Sequence, residues 1–493
     1  MLTMLLLTLE TLALGVAVLA FLTILGLGLT DYLLPVEGIQ LLIAPAVGLA
    51  ALMLGFQWLS IFVPPFVVAL IVGVITAPLT ALFAWRRRAV LLTRWHDLAG
   101  AGAIAAVYYV AVLQVVIQRG ALTLGSFPAD NIFIYAQAGQ YLRDHPMPSV
   151  LHGVDVASPG SFYLTSVGLS FPNSVGPIDA AASMLTGLPV YAVFDPLNAL
   201  GLAITVGAVW VFVRDGLDGS WWAAAVASAL LATNQLLYWV TGVGLQQESL
   251  ALPIFTTGAY AVVIAVRTGS LRAGVLAGIL AAALVGLYLP VAGLLVICAL
   301  ACAVTCLLAA RGRWNAVADP LVVGGATMLI GALPSAYVLL FRGGLDIWTS
   351  VLGTRVAAGA ISKFPDPLYL IGTLPFAHVW ELSQQPLGHL ETLAWALLVL
   401  ASILLIALIA TGLARAVVEK HGPEATILAA GLLFIAYEGL VARYPYGFVK
   451  SIGYVVPLTS AFAGYGAIGV GSRVPERFRQ PMAIAAAVVV GLV

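Results

Sequence analysis

The sequence is short of charge. Only 9% of its 493 residues are Asp, Glu, Lys or Arg, where a soluble domain carries about 25%. The formal net charge is zero. Without an acidic or basic tail, and without a nucleic-acid motif, nothing points to a nucleic-acid partner. There are three cysteines, Cys298, Cys302 and Cys306, all inside one apolar run, so no disulfide framework holds the wet segments together. The chain also lacks a P-loop, a dinucleotide fingerprint and a Ser-His-Asp cue. The alternating ten-residue pattern of an outer-membrane barrel is missing, as are internal repeats and low-complexity tracts.

What remains is oil. Hydrophobic residues make up 62% of the chain, and apolar runs of about 18 residues or more recur along it, the signature of spanning helices. Hydrocarbon offers the backbone no hydrogen-bond partner, so these runs are expected to be helical. The expected fold is all-α: a polytopic transmembrane bundle of about fourteen spans. The spans fall near 9–30, 38–58, 60–85, 98–117, 197–213, 221–240, 250–266, 271–289, 291–310, 321–341, 392–413, 427–441, 452–470 and 482–493. The first is too long for a cleaved signal peptide and has no basic flank, so it is expected to be retained. Val493 stands inside an apolar run, so either the natural protein continues there or the sequence has been cut.

Basic residues set the orientation. One set of short loops holds Arg86, Arg87, Arg88, Arg94, Arg214, Arg267, Arg272, Arg311, Arg313, Arg415, Lys420, Arg473, Arg477 and Arg479. The opposite set is longer and holds Arg119, Arg143, Arg342, Arg355, Lys363, Arg443 and Lys450. The first set is therefore expected to be cytoplasmic. Two long outer segments result, 118–196 and 342–391, with a short outer loop at 442–451. The N-terminus is then outside, and Asp31 and Glu37 occupy a cytoplasmic turn free of Lys and Arg. Each long segment is expected to carry short juxtamembrane structure. A helix is predicted over 131–142, with Asp130 at its N-cap and Pro128 just upstream. Its apolar face (Ile134, Tyr135, Ala138, Tyr141, Leu142) is expected to lie on the bilayer. A second amphipathic helix is predicted over 177–186. The chain divides into a three-span region, 1–97, and a core, 98–493.

Chemistry has few places to reside. Asp130 follows the fourth span, and a carboxylate there can take a proton from an attacking hydroxyl or hold a divalent cation. It can equally well cap its helix. The run Arg443-Tyr444-Pro445-Tyr446-Gly447-Phe448-Val449-Lys450 puts two cations among aromatics at the outer surface. This suits a phosphate head group, gripped by the Arg fork and the Lys point charge, or an interfacial anchor. Glu248 opens a span, where a carboxylate needs a partner or a wet cavity; Glu438 raises the same question. The outer carboxylates Asp144, Asp155, Asp179, Asp195 and Asp346 are candidates for a second acid, with Asp155 preferred. His145, His152, His378 and His389 match no closed zinc spacing. The cysteine row and Gly274-x-x-x-Gly278 read as small-residue surfaces for helix packing.

An Asp at the head of the first large outer segment, then a juxtamembrane helix with Tyr135, Ala136, Ala138, Tyr141 and Leu142, resembles the GT-C superfamily of polytopic glycosyltransferases. The likeness covers the topology from about Leu98 onward. It implies an outward-facing membrane enzyme of the plasma (inner) membrane and cell envelope, one that moves a sugar from a polyprenyl-phosphate donor to an acceptor with inversion. Asp130 would be the base, with Mg or Mn as an allowed cofactor. Arg443 and Lys450, flanked by Tyr444 and Tyr446, would hold the donor phosphate. Asp155 or Glu248 would act as second acid or acceptor contact. The partners implied are the lipid-linked donor and membrane lipids; no protein partner is indicated. Two other classes fit the same residues. A transporter or flippase predicts ionisable groups deep in spans and broken helices. A non-catalytic accessory subunit predicts only packing, capping and anchoring.

Overall fold

A computed structural model describes residues 2–34, 40–114, 117, 130–147, 175–242, 244–309, 314–341, 389–442 and 445–473. None of these residues lies in a β-strand. The helices are α1 (Leu2–Leu33), α2 (Gln40–Leu59), α3 (Pro65–Thr93), α4 (Trp95–Val112), α5 (Asp130–Leu142), α6 (Val175–Thr186) and α7 (Val190–Val211). There follow α8 (Trp221–Ala232), α9 (Gln235–Gly242), α10 (Gln246–Thr268), α11 (Leu271–Leu287), α12 (Leu289–Ala309), α13 (Trp314–Gly331) and α14 (Leu333–Phe341). The last are α15 (His389–Val418), α16 (Gly422–Ala436) and α17 (Pro445–Arg473). Among the described residues nine helices are long and apolar enough to cross a membrane, or ten if α13 and α14 form one bent span. The expected spans from 9–30 to 452–470 each overlap a described helix, though 221–240 and 271–289 meet only helices shorter than a full span. The expected span 482–493 lies outside the described residues.

A helix that is apolar all round must be buried in protein or face lipid, and both fates occur here. The spans containing α7 and α10 are enclosed through their apolar stretches and form the centre. The outer helices keep large apolar side chains on the surface, among them Val74, Leu308, Leu400, Ile403 and Val418. In water such a patchwork would aggregate; in a bilayer it is the lipid boundary. Two expected spans are broken. The run 221–240 divides into α8 and α9 at Thr233 and Asn234, where Asn234 Oδ1 accepts from the Leu237 N–H at 3.3 Å and caps α9. The run 321–341 divides after Gly331 and bends by 60°, because Pro334 is tolerated only in a first turn. The bend is held from α2. Trp58 Nε1 donates to the Gly331 carbonyl at 3.0 Å, and Ser335 Oγ donates to Gln57 Oε1 at 2.9 Å.

The two ends of the bundle differ in character. At one end, Arg214 and Trp210 both donate to Asp97 Oδ1, at 2.9 and 3.0 Å. Arg267 pairs with the buried Glu424 at 2.9 Å, and Glu419 accepts from Arg415 and from Tyr465. Burial opposes ionisation of Glu419, but these two hydrogen bonds prevail and hold its carboxyl below the usual range. Arg272 stands over the Tyr32 ring, 4.9 Å from its centroid. The end of α1, free of basic residues in the sequence, is thus supplied with one from another loop. Arg94, Arg214, Arg267, Arg272 and Arg415 all belong to the expected cytoplasmic set. The opposite end carries α5, α6 and the start of α17.

Helices α5 and α6 depart from expectation in one respect. The face of α5 that was expected to rest on lipid is buried in protein: Ala138, Tyr141 and Leu142 cluster with Ala180 of α6 and with Met147. Residues Val175 to Ser183 of α6 are buried without interruption. An apolar stripe needs a dry partner, and each of these helices finds it in the other before the bilayer can supply it.

Close helix contact elsewhere depends on absent side chains. On α11, a Cβ added to Gly274 would stand 2.1 Å from the Pro320 carbonyl oxygen, and one on Gly278 would stand 2.3 Å from that of Gly324. Gly278→Leu should therefore push α11 off α13 and cost about 3 kcal/mol or more, read as a lower melting temperature in detergent. Wild-type melting in that variant would show that the two helices do not meet so closely.

Candidate functional site

The site is built around the start of α10. The chain turns at Gly244, which takes the left-handed conformation at φ 68°, and α10 then begins with Gln246, Gln247 and Glu248. All three are buried. A carboxylate in a first turn gains from the exposed N–H groups and the positive end of the helix, yet Glu248 is too deep to rely on water. Its partner is Lys450 of α17, whose Nζ donates to Glu248 Oε1 and, at 3.2 Å, to Tyr288 Oη. Tyr454 Oη donates to the same Tyr288 oxygen at 2.9 Å. Tyr288 sits in extended backbone between α11 and α12, so the cluster ties together four long helices. The pair is well sheltered, with side-chain exposures of 12% for Lys450 and 4% for Glu248.

Two residues earlier on α10, Gln246 Nε2 donates to Asp179 Oδ1 at 2.7 Å. Asp179 lies on α6, against α5, for a Cβ on Gly139 would touch the Asp179 side chain at 3.0 Å. Burial drives the Asp179 carboxyl well above the usual carboxylate range; the Gln246 hydrogen bond opposes this and the charge of Asp195 adds to it. The Met147 N–H, just past α5, donates to the Ser60 carbonyl at 2.6 Å and fixes that segment to the turn between α2 and α3. Contacts thus link α5 to Asp179 and Asp179 to Gln246 in the first turn of α10, and the same turn carries Glu248, which holds Lys450.

Of the residues singled out in the sequence, the structure brings Glu248 and Lys450 into direct contact. Asp130 is the first residue of α5, about 13 Å along the helix axis from Gly139; its side chain lies outside the described residues. Tyr446 belongs to the first turn of α17, also with an undescribed side chain. Asp155, Arg443 and Tyr444 lie outside the described residues, as do His152, His378 and Asp346. His145 is explained locally, with Nδ1 3.0 Å from the Tyr141 carbonyl and its ring stacked on that tyrosine. Cys298 and Cys302 are buried, and Cys298 Sγ meets the Ile427 carbonyl of α16, a packing role. Sequence reasoning passed over Gln246, Tyr288 and Tyr454, and named Asp179 only as one of several candidate second acids. For Tyr288 a signal existed: Pro290 two residues on marks a helix start inside what read as continuous apolar sequence.

No group of three or more His, Cys, Asp or Glu side chains is placed to hold a metal ion among the described residues. No protein-family model matches the chain, and no curated protein matches it either.

Two predictions follow from this geometry. Removing one member of a buried ion pair strands the other, so Glu248→Leu or Lys450→Met alone should each cost about 3–5 kcal/mol, whereas the double variant should recover most of that loss. Melting of the three variants checks this, and equal losses that simply add would refute the pairing. Asp179 behaves in the opposite sense from a salt-bridged acid. A carboxyl raised in the folded state contributes stability that is present below its ordinary titration range and lost as pH rises through the folded value. In choline chloride at fixed ionic strength, Asp179→Asn should therefore remove part of the stability lost as pH rises above the ordinary carboxylate range; parallel melting curves against pH for the two proteins would contradict it.

Proposed function

We propose that this protein is a membrane glycosyltransferase of the GT-C type, with about fourteen spans, in the plasma (inner) membrane and with its long segments extracytoplasmic. The observation that carries the proposal is that the helix headed by Asp130 and the cation Lys450 are held at one end of the bundle, both anchored to the first turn of α10, the helix by way of Asp179 and Gln246 and the cation by Glu248. The gathering of Arg94, Arg214, Arg267, Arg272 and Arg415 at the opposite end supports the orientation, since basic residues mark the cytoplasmic side.

In this reading the polyprenyl-phosphate sugar enters from the outer leaflet. Its phosphate meets Arg443 and Lys450, with Tyr444 and Tyr446 beside it. A lysine already held by Glu248 and Tyr288 is positioned before the donor arrives, which lowers the ordering cost of binding. Asp130 takes the proton of the acceptor hydroxyl, whose oxygen attacks the anomeric carbon. The bond from that carbon to the phosphate oxygen breaks, and the lipid phosphate leaves with the electron pair. Displacement from the opposite face inverts the centre. Asp155 and Glu248 are the second acids of this scheme, and Glu248 acts by holding Lys450. A divalent cation would be held by Asp130 and would supply neutralising charge for the leaving phosphate.

Asp130→Asn and Asp130→Ala should each lower transfer from a labelled polyprenyl-phosphate sugar in proteoliposomes about 100-fold or more, with melting temperatures unchanged. Full activity in both variants would remove Asp130 from the chemistry. A second reading, transport or lipid flipping, is favoured by the 60° break between α13 and α14 and by the ionisable pair Glu248–Lys450 within the bundle. Movement of an unaltered labelled lipid across the same vesicles would decide for it.

A further inference from the structure

Where α6, α7 and the turn into α10 meet, three side-chain oxygens lack a donor. Asp179 Oδ2, Asn198 Oδ1 and Gln246 Oε1 are buried and accept no hydrogen bond from any described residue. All three residues are 0% exposed. Each amide turns its nitrogen to an acceptor, Gln246 Nε2 to Asp179 Oδ1 at 2.7 Å and Asn198 Nδ2 to the Thr241 carbonyl at 3.3 Å. This leaves the amide oxygens unanswered. Thr241 and Gln246 belong to the same tight turn, closed by the Gly244 N–H on the Thr241 carbonyl and the Leu245 N–H on Val240. One helical turn before Asn198 on α7 stands Asp195, buried and near enough to Asp179 for the two charges to act on each other.

A buried acceptor without a donor costs about 1–3 kcal/mol; Asp179, Asn198 and Gln246 each keep one on the elements that meet here, and Asp195 adds a second carboxyl. Carboxylate and amide oxygens are the ligands of hard cations. Two features limit the charge of the ion. Half the donor set is neutral amide, and the positive end of α10 points into the same junction, which penalises a divalent ion more than a monovalent one. We propose that this junction binds one hard monovalent cation, ligated by Asp179, Asn198 and Gln246 with Asp195 as the second carboxylate. The site is separate from Asp130 and does not rest on the sugar-transfer reading. Its consequence is structural: the ion locks α6, and through it α5, to the start of the central helix α10.

The test uses the full chain in detergent, melted in sodium chloride, potassium chloride or choline chloride at equal ionic strength. Sodium should raise the melting temperature along a saturable, single-site curve by on the order of 3 °C. Asp179→Asn and Asn198→Leu should lose that increment. Identical melting in sodium and choline would overturn the site and leave a buried water as the donor. So would an increment retained in full by Asp179→Asn. Should the variants fail to fold, sodium-23 line broadening by the wild-type protein replaces them; broadening that potassium chloride does not displace and magnesium chloride abolishes would also overturn a monovalent site.

Discussion

Hydrocarbon supplies no hydrogen-bond partner, and the polar side chains of this protein are distributed accordingly. Threonines along the helices return their hydroxyls to carbonyls one turn back, as Thr30, Thr205 and Thr256 do. Charged groups that cannot do so gather toward the two ends of the bundle, where Asp97, Glu424 and Glu248 each meet a cation. The same constraint makes the interior contacts so close. With water absent, helices gain little from hiding apolar surface and associate through van der Waals contact, which small residues at 274, 278 and 324 allow.

The two polar ends solve the same problem by different means. The end with Asp97, Glu419 and Glu424 spreads its charge over several Arg–carboxylate pairs, part of them reached by solvent. Repeated arginines there anchor helix ends to one another. Among the described residues the opposite end holds one sheltered pair, Glu248 and Lys450, supported by two tyrosine hydroxyls. A buried pair is seldom worth more than the apolar residues that could replace it, so its presence reads as a requirement for a positioned cation. Asp179 and Gln246 next to it extend the polar region toward α5.

Much of this was legible in the sequence. Long apolar runs marked a multi-span helical bundle, nine or ten of whose helices are long and apolar enough to cross a membrane among the described residues, and the segregation of arginines predicted which of them share an end. The helix after Asp130 was visible from Pro128, the cap and the spacing of Tyr135, Ala138 and Leu142. Its apolar stripe did not reveal its partner, since periodicity says that a face is dry but not what dries it; α6 took the place assigned to lipid. The break at Gly331 escaped notice because hydropathy is blind to direction, although Pro334 recorded it. Glu248 and Lys450 were each noticed, but their union across 202 residues could not be seen without coordinates. Asp179 was one of several outer carboxylates, and nothing local distinguished it from Asp144, which is exposed.

The elbow between α13 and α14 carries a consequence for assembly. Its carbonyl at Gly331 and hydroxyl at Ser335 are answered by Trp58 and Gln57, which precede them by 273 and 278 residues. Gln57 also reaches the Ala282 and Ala283 carbonyls of α11. During synthesis, α2 must therefore wait in the bilayer with a polar amide and an indole N–H uncommitted until much later segments arrive. The elbow is thus tied to a helix made 273 and 278 residues earlier, and its polar groups are answered only once both have been inserted.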